Sequence, residues 1–523
     1  MAERLPAPHP DEARSGGFES ILSPHGDWAP EAAPPPYLHD LGLDQVIDRV
    51  IAGRAEYELA PFFWSRLPDA GSVVYRQAVA KDLEKEPVRK GIARFSASMR
   101  AMRNHLARAR RRSYRYEAER WLLAAVEAYC DAVEALHRDL ERGDVASPGL
   151  RALLDFLQAY VASAGFATLA REARTLAGQL GAIRYCLHVD GPVIVVRHDR
   201  GEADYCAEIE RTFEKFRRGH VKDYRNKIPV RDGLNHVEAE VLARVALLEP
   251  GPFRALEEFA VGHAGYLDPT LARFDREVQF YVAWLDHVDR LRGAALRFCY
   301  PAVSATSKEI HATGSFDVAL ADKLAREKGA VVPNDLRLTG AERFLVVTGP
   351  NHGGKTTFAR AFGQLHHLAA LGGPVPGEEA RLFLPDAIFT HFERREDVES
   401  LRGKLEDELV RVRDILGRAT PRSLVVMNEA FSSTTIRDAV WLARQVLRRM
   451  FSLGVLGVCV TFLDELASLG PEVVSMVATV DPHDLARRTF QLERRRPDGL
   501  AYALAVAERH RVTYEQLTER MGT

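Results

Sequence analysis

The sequence predicts a multidomain chain in which a mainly α-helical part precedes an α/β part. Three observations predict it. Apolar residues recur every three or four positions through much of Tyr37 to Tyr300, strands alternate with helices after residue 340, and a glycine-rich loop joins a strand to a helix between Val346 and Thr357. A chain of 523 residues is long enough for two or three separate cores. The expected partition is a proline-rich, disordered leader over residues 1–36, a helical domain over 37–300 and an α/β domain over 301–523.

The leader follows from its prolines, up to Pro34-Pro35-Pro36, and from the lack of an apolar core of signal-peptide length. Helical spacing is clearest from Tyr116 to Leu140, Leu150 to Gly165 and Leu267 to Leu296. Ala182–Val189 and Val193–His198, flanking Asp190-Gly191-Pro192, read as a small hairpin set among the helices. Residues 302–340 read as loops and short helical segments. After the glycine-rich loop, a helix is expected to about Leu371, then strand 387–392, helix 404–417, strand 423–427, helix 436–451 and strand 455–462. That alternation implies a mostly parallel sheet with helices on both faces.

The 71 basic and 73 acidic residues leave a net charge of -2, which excludes a general attraction to polyanions and leaves room only for local basic patches. The five cysteines (Cys130, Cys186, Cys206, Cys299, Cys459) lack CxxC spacing, which argues against a zinc site and for a reducing compartment. No run approaches the ~18 apolar residues that span a bilayer, so the expected location is the cytosol.

The chemistry sits in the second half. Gly349, Pro350, Asn351, His352, Gly353, Gly354, Lys355, Thr356 and Thr357 form a complete phosphate-binding loop in its strand-loop-helix context. Its amides and the helix N-terminus make an electropositive cradle for a polyphosphate. Lys355 is expected to reach the β- and γ-phosphates and the Thr356 hydroxyl to hold Mg2+. His352 is read as a packing or solvent-facing member of the loop. Ser423–Glu429 is a buried strand ending in two polar residues. Glu429 suits the carboxylate that positions an attacking water, and Asn428 stands where a metal-orienting aspartate is expected, offering a neutral oxygen instead.

The run Gly349–Thr357, close to GPNMGGKST, resembles the MutS family, and especially MutS-like chains without the N-terminal mismatch-recognition domain. Val332-Pro333-Asn334-Asp335, Ile388-Phe389-Thr390, Ser423–Glu429, Thr434, Asp438 and Gly499–Ala507 support the resemblance. It implies an ABC-type P-loop ATPase domain behind a helical core and lever, with ATP and Mg2+ as cofactors. It also implies Asn334 beside the adenine, Lys355 and Glu429 in catalysis, a homodimer, and ATP-dependent DNA binding in mismatch repair or recognition of DNA structures, with a downstream repair protein as a further partner. Three departures bear on rate and signalling: Asn428, Phe462 in place of a switch histidine, and Ser400–Leu405 in place of G-x-S-T-F. Arg394, Arg395 and Arg402 are candidates for charge-stabilising fingers.

Two basic clusters are candidates for phosphate contact. Arg94, Arg100, Arg103, Arg108, Arg110, Arg111, Arg112 and Arg115, with Tyr114 and Tyr116 adjacent, are the denser; Lys215, Arg217, Arg218, Lys222, Arg225 and Lys227 form the other. The competing reading is a nucleotide-gated module that hydrolyses ATP weakly and holds a protein partner instead of DNA.

Overall fold

The structure, a computed structural model, describes residues 18–24, 28–201, 208–209, 211–212, 233–393, 403–497 and 513–521. The chain divides into two compact units, one of residues 1–18, 85–145 and 150–275, the other of residues 19–84, 146–149 and 276–523.

The first unit is helical. Helices Glu86–Arg111 and Arg115–Arg142 pack along each other, and helices Ala164–Ala182 and Pro250–Gly262 pack on the second of them. Pro87 opens the first helix, Ser163 caps the one starting at Ala164, and Asn235 with Glu238 forms a reciprocal cap on helix His236–Leu248. Phe95, Leu123, Val126, Tyr129, Val133 and Phe274 are fully buried. The expected hairpin is present as β1 (Tyr185–Asp190) and β2 (Val193–His198), antiparallel, with several apolar side chains exposed. Among the described residues no single helix is long and apolar enough to cross a membrane.

The second unit is built on six strands in the order β10 (Ile388–His391), β11 (Leu424–Asn428), β12 (Leu456–Val460), β7 (Phe344–Thr348), β13 (Val473–Asp481) and β14 (Asp484–Arg494). All neighbours are parallel except β13 and β14. The strands bearing the motifs are apolar on both faces, as a doubly covered parallel sheet requires. Phe344, Val346, Val425, Met427 and Cys459 face helices Lys404–Arg418 and Ile436–Leu453 through Val412, Ile415, Ala443, Leu447 and Met450. Helix Lys355–Ala370 covers the other face and is buried along most of its length. There Gly363 lies against the sheet: a Cβ on it would stand 3.3 Å from the Val426 side chain and 2.7 Å from that of Leu41.

Three expectations need correction. Residues 302–340 hold an expected short helix, Val318–Glu327, but are not otherwise mainly loop: β4 (Ala302–Ser304), β5 (Ile310–Ser315) and β6 (Asn334–Leu338) join β9 (Glu379–Phe383) in a second sheet of order β4-β9-β5-β6, beside a separate pair of β3 (Phe298–Cys299) and β8 (Val375–Pro376). β4 has only three residues, and in β5 and β6 the apolar alternation rests on two residues each, Ile310 with Ala312 and Leu336 with Leu338, too short a signal to mark a strand. The boundary does not fall near 300 either, because residues 19–84 and the chain from Arg276, within helix Pro269–Arg292, belong to the unit with the glycine-rich loop. Finally, the leader is not disordered throughout. Ile21 and Leu22 are buried, the Ile21 amide donates to Glu277 (3.0 Å) and Arg76 donates to the Leu22 carbonyl (2.7 Å). The short apolar pair among polar and proline residues is enough to anchor the segment because the Ile21 amide and the Leu22 carbonyl buried with it are both hydrogen-bonded.

Candidate nucleotide site

The loop begins where β7 ends. Gly349 has φ of 113°, and a Cβ there would lie 2.9 Å from the carbonyl oxygen of Ala478 on β13, so only glycine passes this close to the neighbouring strand. Gly354, at φ 91°, turns the chain into helix Lys355–Ala370. The first turn of a helix leaves its amides without intrahelical acceptors, and the macrodipole adds partial positive charge at the same place. His352, within the loop, is also left-handed, at φ 60°, and is an exposed member of the cleft lining.

Lys355 is only 5% exposed. Its Nζ donates to the carbonyls of Gly349 (2.7 Å) and Pro350 (3.2 Å) and lies 3.4 Å from Asn351 Oδ1. Burial lowers its pKa, and Glu429 works in the opposite direction. A phosphate brought alongside would meet an ammonium short of counter-charge, which is the condition for strong charge-assisted hydrogen bonding. Arg488 of β14 donates to the Asn351 carbonyl (3.1 Å) and adds positive charge near Lys355.

Asn428 ends β11 beside the loop, and the Thr356 hydroxyl donates to its Oδ1 at 2.9 Å. Among the described residues no group of three His, Cys, Asp or Glu side chains could hold a metal. Mg2+ needs no such cage: it keeps waters and phosphate oxygens and takes one or two protein oxygens. The neutral pair Thr356 and Asn428 fits that demand with less charge than an aspartate would bring.

Glu429 follows with φ of 52°, its amide donating to the Val460 carbonyl at 2.9 Å. Non-glycine residues in this region cost energy and persist where the surroundings over-determine them. Here the turn directs Glu429 into the same cleft as Lys355 and Thr356, a cavity of about 760 Å³. Loop residues 351–357 give the cleft a polar lining. Phe316, Leu320, Leu324, Ala330, Val332 and Phe490 give it an apolar one, suited to a flat heterocycle. Asn334 lines the cleft as well. Its amide group ties β6 to β14, donating to the Phe490 carbonyl (3.0 Å) and accepting from the Leu492 amide (2.7 Å).

The cleft thus gathers the loop, Lys355, Thr356, Glu429 and Asn334, with Asn428 held behind Thr356. Sequence reasoning missed Leu320, Leu324 and Phe490, which lie far from any motif; the φ of 60° at Phe490 is a property of the folded turn, with no residue type to announce it.

The arginine cluster is a different matter. Arg112 pairs with Glu117 at 3.0 Å, Arg115 pairs with Glu119 and Glu257, and Arg108 stacks 4.8 Å from the Trp121 ring centroid. Arg110 and Arg111 are exposed and have no ion pair among the described residues. The second basic cluster, Arg394, Arg395, Arg402 and Gly499–Ala507 lie outside the described residues.

Residues 345–510 match the family model described as MutS domain V. Over 144 residues the chain is 34% identical to the DNA mismatch repair protein MutS of Shouchella clausii, a match covering 27% of this chain and 16% of that protein. It is 31% identical over 150 residues to the DNA mismatch repair protein Msh3 of Mus musculus, covering 29% of this chain and 14% of that one. Against the endonuclease MutS2 of Gemmatimonas aurantiaca it is 32% identical over 184 residues, covering 35% and 22%. The matched stretch is therefore less than a quarter of the length of each of these relatives.

Proposed function

Through its domain V the chain belongs to the MutS family, and from that premise we propose that it is an Mg2+-dependent ATPase of the ABC-type P-loop class whose nucleotide state governs its grip on DNA. The observation that carries the reading is a single cleft holding loop amides, a buried lysine, a hydroxyl for the metal and a carboxylate, with an apolar recess for the base.

The triphosphate lies along the loop, and the recess at Leu320, Val332 and Phe490 receives adenine next to Asn334. Lys355 leaves the carbonyls of Gly349 and Pro350 for the β- and γ-phosphate oxygens. Thr356, backed by Asn428, would hold Mg2+, which would supply neutralisation of the developing phosphate charge. Glu429 orients a water for in-line attack on the γ-phosphate and accepts its proton. Two such subunits form a homodimer with nucleotide sites at or near the interface, so that ATP binding shifts the helical arms between conformations of different DNA affinity. DNA contact is sequence-independent and electrostatic, the working compartment is the cytosol, and the role is in mismatch repair or recognition of DNA structures, together with a downstream repair protein.

The test is the ATPase rate with no DNA and with homoduplex, mismatched and branched DNA. Stimulation by one of these names the target. A second reading, a nucleotide-gated protein-binding module with weak hydrolysis, is favoured by the neutral Thr356 and Asn428 pair. Nucleotide binding together with a DNA-independent, near-zero rate and no duplex binding at low salt selects it.

A further inference from the structure

Glu408 is a charged residue in an apolar place. It lies on helix Lys404–Arg418 four residues before Val412 and seven before Ile415, on the face that packs into the core beneath the sheet, and it is 2% exposed. A carboxylate buried in this way is costly unless it is paired or hydrogen-bonded. Lys404 and Arg411 act on it only through their field; Lys404 pairs with Glu393, and Arg411 donates to the Phe392 carbonyl at 3.0 Å. What Glu408 does bind is the backbone amide of Phe431, at 2.8 Å.

Phe431 is two residues beyond Glu429, and both have left-handed backbones, at φ 62° and 52°. The turn between them is pinned at three points: the Glu429 amide on Val460, the Phe431 amide on Glu408, and the fully buried Phe431 ring. Such a conformation relaxes unless something holds it. Of the three pins, only Glu408 belongs to the helix that starts at Lys404.

We propose that Glu408 is a positioning residue for hydrolysis: its carboxylate holds the Phe431 amide and so fixes the turn from which Glu429 enters the cleft. The inference rests on the reading of Glu429 as the water-orienting group of an ATPase. It adds a mechanical link, because any displacement of the helix start at Lys404 is transmitted through one hydrogen bond to the hydrolytic carboxylate.

The experiment measures kcat, KM and equilibrium ATP affinity for the full chain and for E408A, E408Q and E408D, with thermal unfolding alongside. E408A is expected to lower kcat by about 10- to 100-fold, with KM and ATP affinity within about twofold of the parent. E408Q, whose amide oxygen accepts from the same N–H, recovers most of kcat. E408D keeps the charge but falls one methylene short, so its kcat lies below that of E408Q; this pair carries the test should E408A fail to fold. The proposal is overturned if E408A turns over like the parent, if E408D equals or exceeds E408Q, or if kcat falls only in step with ATP affinity. A parent chain that does not hydrolyse ATP overturns the ATPase reading and this one together, whereas an active parent with an indifferent E408A overturns this one alone.

Discussion

Lys355 and the arginines from Arg108 to Arg115 are the two cation-rich regions that the sequence brings forward, and they are built in opposite ways. Lys355 is a single cation, buried by a loop whose backbone leaves it only weak acceptors, so its charge is held in reserve. The arginines are many and mostly exposed, and Arg112 and Arg115 are already neutralised by neighbouring glutamates. Density of charge along a helix invites local pairing, whereas a strained glycine turn can isolate one charge and aim it. The difference teaches that a binding site is better sought where the backbone prevents neutralisation than where basic residues are most numerous.

The comparison can be broken most sharply at Lys355. Lys355→Ala should weaken ATP binding by about 100-fold, the value of losing a charge-assisted hydrogen bond in a buried site. Equilibrium titration with a fluorescent ATP analogue checks it, and unchanged affinity would contradict the assignment of the cleft.

The next effect tests whether the neutral pair beside Lys355 matters. Asn428→Asp places a full charge next to Thr356 and should lower the Mg2+ concentration for half-maximal hydrolysis by about tenfold. A Mg2+ titration of the ATPase rate reads it directly.

On the arginine side, Arg110→Ala with Arg111→Ala should reduce the salt dependence of DNA binding by about two units of slope. Arg112→Ala with Arg115→Ala should change the slope less, because those side chains answer to glutamates. Equal slopes for the two double variants would remove the distinction between committed and available arginines.

The smallest effect is on acid stability. Burial pulls the pKa of His366 down to about 4 and that of His367 down to about 3 in the helix behind Lys355. The folded state keeps both neutral, while the unfolded chain takes up protons below about pH 6.5. Stability present above that pH should therefore decline as the pH falls toward 4, seen as a lower urea midpoint at pH 5 than at pH 7.

Much of the α/β unit was legible because its motif strands are continuous apolar runs and its helices amphipathic; β11 and helix Lys404–Arg418 fall within a residue or so of the sequence reading. Glycine and lysine spacing likewise pointed to the loop, since its backbone geometry demands those residue types. Less could be read where structure depends on distant partners. β5 and β6 are short segments with two buried apolar residues each that become strands by pairing with each other, and β13 carries the sheet past the loop without a motif of its own. Glu408 did leave a signal, a carboxylate on an apolar stripe, but its meaning lay in a contact 23 residues along the chain.

The burial of Ile21 and Leu22 beneath Arg76 has a practical consequence for dissection of the molecule. Arg76 is wholly enclosed, its guanidinium 4.2 Å from the Trp28 ring centroid and donating also to the Leu371 carbonyl just past the helix that carries the loop. Cutting the chain at residue 301 to isolate a minimal catalytic fragment would strip that helix of its support and bare the surface on which Arg76, Trp28 and Phe280 now rest. A workable truncation has to keep the segment from Glu19 to Glu84 and the chain from Arg276, which carries Glu277 and Phe280, or rebuild by design the lining they provide.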